Sequence, residues 1–182
     1  MKKLICLAFL ITVSASLGLA QASRFPGVSD FQSQQLDQAK KITPIPLPTW
    51  IPAGFRVEKI QIKLGSMVSL ENKELVIIYS RKLATGKVQR FSFEAGFDGI
   101  GGLPYDSTKI IPSAVGKIDL MYEPQDLDGA GKLKNFAMTD WFNVGKTAFH
   151  YNGMHGAAEN DASQVMISLA DTEKILRSLQ RY

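Results

Sequence analysis

Cysteine is almost absent from this 182-residue chain, in which Cys6 is the only one. Cys6 lies in an apolar N-terminal stretch that we expect to be removed, so the remaining chain carries no thiol. A chain without thiols has no disulfide bond, no cysteine nucleophile and no thiolate metal site. Its fold must be held by a packed core, for which the 160 residues after Ala22 are sufficient.

A concentrated positive charge is also missing. The whole chain has 21 lysines and arginines against 17 aspartates and glutamates, and Lys2 and Lys3 would be lost with the N-terminal stretch. The remaining net charge is then +2, and basic residues never run longer than two in succession. Nucleic-acid binding proteins concentrate basic residues on one face, so we expect no nucleic-acid partner.

Catalytic signatures are missing as well. The chain contains no Gly-x-Ser-x-Gly segment, the arrangement that presents a serine nucleophile in many hydrolases. Its only histidines, His150 and His155, are five positions apart with no glutamate between them, so on a strand they would lie on opposite faces. We expect two ordinary histidines at the surface or the rim of the domain, and no cofactor; a metal site formed by the two is the alternative.

Residues 1–22 have the three parts of a secretory signal peptide. The pair Lys2-Lys3 is positive, residues 4–13 are apolar, and small residues follow as far as Ala22. We predict cleavage after Ala20 or Ala22 and a periplasmic or secreted protein without a transmembrane span; an uncleaved N-terminal anchor is the alternative. The chain has no Asn-x-Ser/Thr glycosylation site, which favours a bacterial envelope over a eukaryotic secretory route.

Residues 23–46 are predicted to form an N-terminal arm and linker. Ser29 and Asp30 are suited to cap a short polar helix, although few apolar residues lie on one face of it. Prolines at positions 44, 46, 48 and 52 then exclude helix and favour an extended chain. Residues 47–182 are predicted to form a single domain.

Most of this domain has the alternating pattern of β-strands. In 55–63 the apolar parity changes between Val57 and Ile60, which indicates a bulge. Residues 75–79 are a continuous apolar run, typical of a central strand. The remaining predictions are strands at 90–95, 118–122, 141–151 and 165–169, a turn at 84–87 and a hairpin turn at 143–146.

A helix is predicted close to the C-terminus. Asp171 is suited to cap it, and Ile175, Leu176 and Leu179 fall on one stripe. A helix of about three turns is only marginally stable alone, so it must pack on the sheet. The predicted fold class is therefore α+β, a mainly antiparallel β-sheet with a C-terminal helix packed on it.

Candidate binding residues come from loops and aromatic side chains. Glycines crowd the 96–104 loop, and connections carry function more often than cores do. Aromatic residues on strands pack into cores more often than they bind ligands, so the aromatic candidates are few. The candidates are Trp50, Phe55, Trp141, Gly99, Gly101 and Gly102.

The segment from Leu47 to Phe55 reads Leu-Pro-Thr-Trp-Ile-Pro-Ala-Gly-Phe. It resembles the entry motif of two bacterial extracytoplasmic families: the C-terminal domain of MucB/RseB-type periplasmic sigma-E regulators, and a domain of unassigned role found on anti-sigma-like and lipoprotein-sorting-like envelope proteins. The central strand ending at Tyr79 and a helix ending in a Ser-Leu-like pair fit the same pattern. The chain departs from the regulators at 80–83, where it has Ser-Arg-Lys-Leu in place of Ser-Asp-Gly-Leu.

These patterns predict an exported envelope protein that acts as a non-enzymatic binding or sensory module for a protein or lipid-like partner. The resemblance implies partner binding and supplies no catalytic residue. The first alternative is a small secreted hydrolase or metal-dependent enzyme that uses His150, His155 and acids such as Asp140 or Glu94. The second is a carrier of an apolar ligand, with the sheet curled around its aromatic face.

Overall fold

The computed structural model of the chain describes residues 25–63, 74–96, 108–124, 128–129, 137–153 and 163–182. The predicted signal peptide lies outside the described residues, as do Gly99, Gly101, Gly102 and His155. The elements are α1 (Asp30–Ala39), β1 (Pro46–Pro48), β2 (Arg56–Lys63), β3 (Glu74–Lys82), β4 (Val88–Gly96), β5 (Thr108–Ser113), β6 (Gly116–Met121), β7 (Met138–Thr139), β8 (Phe142–Val144), β9 (Thr147–Asn152), α2 (Leu169–Arg177) and β10 (Leu179–Arg181).

Eight of these strands form one antiparallel sheet. Their order is β2-β3-β4-β9-β7-β6-β5, and β8 pairs with β9 beside this path. Helix α2 packs against the sheet: Ile175 and Leu176 are buried in the core, and the Thr172 hydroxyl lies 3.3 Å from that of Tyr151 on β9. The predicted α+β class, with a mainly antiparallel sheet and a helix near the C-terminus packed on it, is confirmed.

Two predicted local features are also confirmed. Val57 pairs with Tyr79 while Lys59 pairs with Ile78, so Glu58 is an extra residue on β2 and forms the expected bulge. Strands β8 and β9 form the expected hairpin about residues 143–146. Both patterns depend on near neighbours in sequence, which is why they could be read from the chain alone.

One face of the sheet carries an aromatic core. Phe91 and Phe93 on β4 and Tyr151 on β9 are completely buried, as the alternation in β4 predicted. Tyr79 stacks on Phe91 with ring centroids 4.7 Å apart and planes 4° from parallel. Phe93 meets both Tyr79 and Phe91 edge-on. This aromatic packing faces α2 and supplies much of the apolar burial in the domain.

The hydroxyl group of Tyr79 is buried in this core and has no hydrogen-bond partner among the residues that the structure describes. Burial raises the pKa of the Tyr79 phenol well above its ordinary value, so the group stays neutral but unsatisfied. We expect Tyr79→Phe to raise the free energy of unfolding by about 1 kcal/mol, since the variant keeps the ring and removes an unpaired polar group. Urea denaturation measures the change. Tyr151→Phe, which removes a partnered hydroxyl, is the control, and a destabilised Tyr79→Phe protein would show that the hydroxyl has a partner.

The predicted arm packs onto the same core. Helix α1 begins after Ser29, whose hydroxyl accepts a hydrogen bond from the Gln32 amide as the sequence suggested. Leu36 and Ala39 on this helix belong to the core. Gly27 approaches β2 so closely that a Cβ atom there would lie 3.0 Å from the Arg56 Cα atom. Only glycine fits at this position. The contact places the arm against the start of β2.

The predicted strand at 165–169 is wrong. Only Gln164 forms a bridge to β4, and Ser168 accepts a hydrogen bond from the Asp171 amide, which makes it the N-cap of α2. Leu169 is therefore the first residue of the helix. The cap predicted at Asp171 is wrong for the same reason: Asp171 lies in the first helical turn, where its charge is favourable.

The chain after α2 is a strand rather than more helix. Strand β10 pairs antiparallel with β1, so Leu179 lies opposite Pro48 and is completely buried. At the last residue, the Tyr182 hydroxyl donates a hydrogen bond to the Asp37 carboxylate, and the amine of Lys40 lies 4.3 Å from the Tyr182 ring. Hydrogen bonds from Lys40 and Tyr182 lower the pKa of Asp37. These contacts attach the chain end to α1.

Candidate functional site

A pocket of about 440 Å³ opens at the start of β2, on the sheet face opposite the aromatic core. Residues alternate between the two faces along a strand. Arg56, Ser80 and Arg90 therefore point away from the face on which the adjacent residues along their strands, Val57, Tyr79 and Phe91, are buried. The pocket is lined by Gly54, Arg56, Glu58, Ser80, Arg81, Lys82, Val88 and Arg90. Four of these side chains are cationic and one is a carboxylate.

A row of three cross-strand neighbours forms the floor of the pocket. Arg56 on β2 pairs with Ser80 on β3, and Ser80 pairs with Arg90 on β4. The backbones that carry the two arginines are therefore about 10 Å apart, twice the spacing of neighbouring strands. Two like charges carried on one face of the sheet raise the local positive potential.

Glu58 is the carboxylate in the pocket. It is the extra residue of the β2 bulge and lies between the pairs Val57–Tyr79 and Lys59–Ile78. Its two oxygens contact the Arg90 guanidinium, with Oε2 2.9 Å from Nε and Oε1 3.4 Å from Nη2. Glu58 therefore neutralises one of the four cations.

Arg81 lines the edge of the pocket, and its guanidinium lies on the other face of the sheet, where it contacts the Trp50–Phe55 entry segment. Its Nε donates to the Gln89 side-chain oxygen at 2.7 Å, and its Nη1 donates to the Ala53 carbonyl at 2.9 Å. The guanidinium carbon lies 4.7 Å from the centre of the Phe55 ring, a cation–π contact. Gly54 has φ +84°, a conformation that favours glycine, and completes the turn that brings the Ala53 carbonyl to Arg81.

Arg56 and Lys82 are the two cations left over. Both are exposed, and within the described ranges neither side chain has a hydrogen bond or an ion pair. Arg56 and Lys82 thus have no opposing charge, whereas Arg81 and Arg90 are held by hydrogen bonds. Such a set of positive charges favours the binding of an anionic group.

The predicted aromatic contacts lie in three different places. Trp50 is 37% exposed, its backbone amide donates to the Ser178 hydroxyl, and the Lys174 amine lies 5.4 Å from its ring, so it rests on the end of α2. Phe55 is buried, with its ring 5.2 Å from that of Phe91. Trp141 is half-buried beside His150. Of the three, only Phe55 touches a residue of the pocket.

The structure brings together His150 and Glu94, two residues proposed for the enzymatic alternative. The His150 Nε2 atom lies 3.4 Å from Glu94 Oε2, and the Trp141 ring covers the imidazole at 4.5 Å. The Ser92 hydroxyl donates to Glu94 rather than to His150. A serine nucleophile must reach its substrate, and Ser92 is completely buried. Asp140 is engaged elsewhere, accepting from the Trp141 amide.

Neither a metal centre nor a membrane span is found in the described part of the chain. No three histidine, aspartate or glutamate side chains there are grouped so that they could hold a metal ion. The helices among those residues are too short or too polar to cross a bilayer.

Comparison of the chain with protein-family models, with curated proteins and with solved structures finds no match. The pocket was missed by the sequence reasoning because its residues come from three strands and one turn. The one available signal was the adjacent pair Arg81-Lys82, which follows the predicted central strand at 75–79.

Proposed function

We propose that this protein is an exported, non-enzymatic binding module whose cationic pocket contacts an acidic group of its partner. One observation carries the proposal: four cationic residues line the pocket, and Arg56 and Lys82 among them have no partner in the described residues. Unpaired cations on neighbouring strands repel one another, and a bound anion relieves that repulsion.

Two further observations support the proposal. The N-terminal 22 residues have the composition of a signal peptide, which supports action in the periplasm or outside the cell. The Trp50–Phe55 segment, which resembles the entry motif of envelope regulators, supplies one wall of the pocket through Gly54 and the Ala53–Arg81 contact.

A secreted enzyme is the second candidate, because His150 and Glu94 contact each other. This pair has the residue types of general acid–base catalysis. It needs a nucleophile or a metal beside it, and Ser92 is completely buried with its hydroxyl turned to Glu94. The cationic pocket is the better supported site, since its free groups are exposed.

Capture from an envelope extract, with and without crosslinking, tests the proposed function. The purified protein is expected to retain at least one protein or lipid species. The Arg56→Ala/Lys82→Ala variant is expected to retain roughly a tenth as much or less, because each exposed ion pair contributes up to about 1 kcal/mol.

The matched control is Lys117→Ala/Arg181→Ala. It removes the same two residue types, and both positions are exposed and outside the pocket. Equal capture by all three proteins would refute the pocket as the contact site, and no capture above background by any of them would refute the binding function.

A further inference from the structure

We infer that the pocket takes a phosphate-type oxyanion and that Glu58 competes with it for Arg90. The inference rests on the proposed function, because it names the chemistry of the group that the same pocket binds. It adds two points to that function: the anion is tetrahedral, and the Glu58 carboxylate lowers the affinity of the pocket for it.

The donors that line the pocket come from three adjacent strands of one sheet face. Arg56 comes from β2, Ser80 and Lys82 come from β3, and Arg90 comes from β4. A carboxylate presents two oxygens in one plane, whereas a phosphate group presents at least three acceptor oxygens pointing outward from a tetrahedral centre. Guanidinium, ammonium and hydroxyl donors together suit the tetrahedral anion.

Glu58 already occupies one part of this donor set. Its carboxylate contacts two nitrogens of the Arg90 guanidinium, and about 39% of the Glu58 side chain is exposed. A carboxylate at this position acts on an incoming anion in two ways: it repels the anion, and it withholds the donors of Arg90. Neutralising Glu58 should therefore strengthen anion binding rather than weaken it.

Titration with inorganic phosphate at constant ionic strength tests this inference, with NMR chemical shifts of the backbone amides in β2 and β3 as the readout. Half-saturation of the wild-type protein is expected on the order of 1–10 mM, as for a ligand held by a few exposed ion pairs. Glu58→Gln is expected to bind about three to ten times more tightly. Asp119→Asn removes a carboxylate from an exposed position outside the pocket, and it should bind as the wild type does.

Vesicles distinguish the two sources of a phosphate group. If the natural ligand is a lipid headgroup, the protein will sediment with phosphatidylglycerol vesicles but not with phosphatidylcholine vesicles, and Glu58→Gln will sediment more completely. If the ligand is a soluble phosphorylated molecule, inorganic phosphate will bind and neither vesicle will. Both outcomes support a phosphate-type site.

Two results would overturn the inference. One is the absence of any phosphate-dependent shift in both the wild type and Glu58→Gln. The other is equal affinity of the two proteins, which would leave Glu58 without its competing role. Arg56→Ala serves as a second variant, with an expected loss of about threefold or more. If phosphate does not bind while capture from extract still depends on Arg56 and Lys82, the phosphate inference fails and the proposed function stands.

Discussion

Replacement of Phe91 by alanine is expected to lower the free energy of unfolding by about 3–5 kcal/mol. The Phe91 ring is completely buried and touches four other aromatic rings, those of Phe55, Tyr79, Phe93 and Tyr151. Its removal leaves a cavity that rigid neighbouring rings fill poorly, so the loss includes a cavity contribution in addition to the lost burial.

Urea denaturation followed by circular dichroism measures this change. Phe31→Ala is the matched control, because Phe31 is 69% exposed on α1, and its replacement should alter the free energy by no more than about 0.5 kcal/mol. A loss below about 1 kcal/mol for Phe91→Ala would contradict a packed aromatic core. The same variant should also loosen the pocket, since Phe55 is sandwiched between Phe91 and Arg81.

The strands could be predicted wherever the pattern is local. Alternation placed Phe91 and Phe93 on the buried face, and the change of parity predicted a bulge between Val57 and Ile60, where the structure has it at Glu58. Each inference needed only residues within a few positions of one another. The pairing order of the sheet, in which β9 lies beside β4, depends on contacts distant in sequence and could not be obtained this way.

The errors near the C-terminus have a physical cause. The apolar run 165–169 has the composition of a strand, and so short a run does not show by periodicity whether it pairs in a sheet. Residues 165–167 form no regular element, although the Val165 amide donates to the Val88 carbonyl. Ser168 caps α2, so the helix begins at Leu169. Leu179 fits the apolar stripe of the helix, yet its burial comes from β10 pairing with β1, a contact with residues more than a hundred positions earlier.

The pocket is the feature that the sequence conceals most. Its cations are scattered over 56–90 and no run of them exceeds two, so the composition argues against a charged patch. The bulge is what turns Glu58 toward Arg90, and the strand register is what aligns Arg56, Ser80 and Arg90 in one row. The register of the strands decides which charged residues lie together on one face of the sheet, and register cannot be derived from amino-acid composition.

Reversal of the two free charges should have the largest effect on binding. In Arg56→Glu/Lys82→Glu each attraction to an anion becomes a repulsion, so phosphate affinity is expected to fall by at least about 30-fold. Neither side chain has a partner in the described residues, and both are exposed, so the variant should fold with nearly unchanged stability. Urea denaturation of the variant confirms that the loss concerns binding alone.

The most direct test of the anion pocket is therefore phosphate titration of three proteins under identical salt: the wild type, Arg56→Glu/Lys82→Glu, and Lys117→Glu/Arg181→Glu. The last carries the same change in net charge at positions outside the pocket. Saturable binding by the wild type and the control, with none by the pocket variant, is the expected result. Binding by all three with the same affinity, or equal losses in both variants, would contradict a local site at the start of β2.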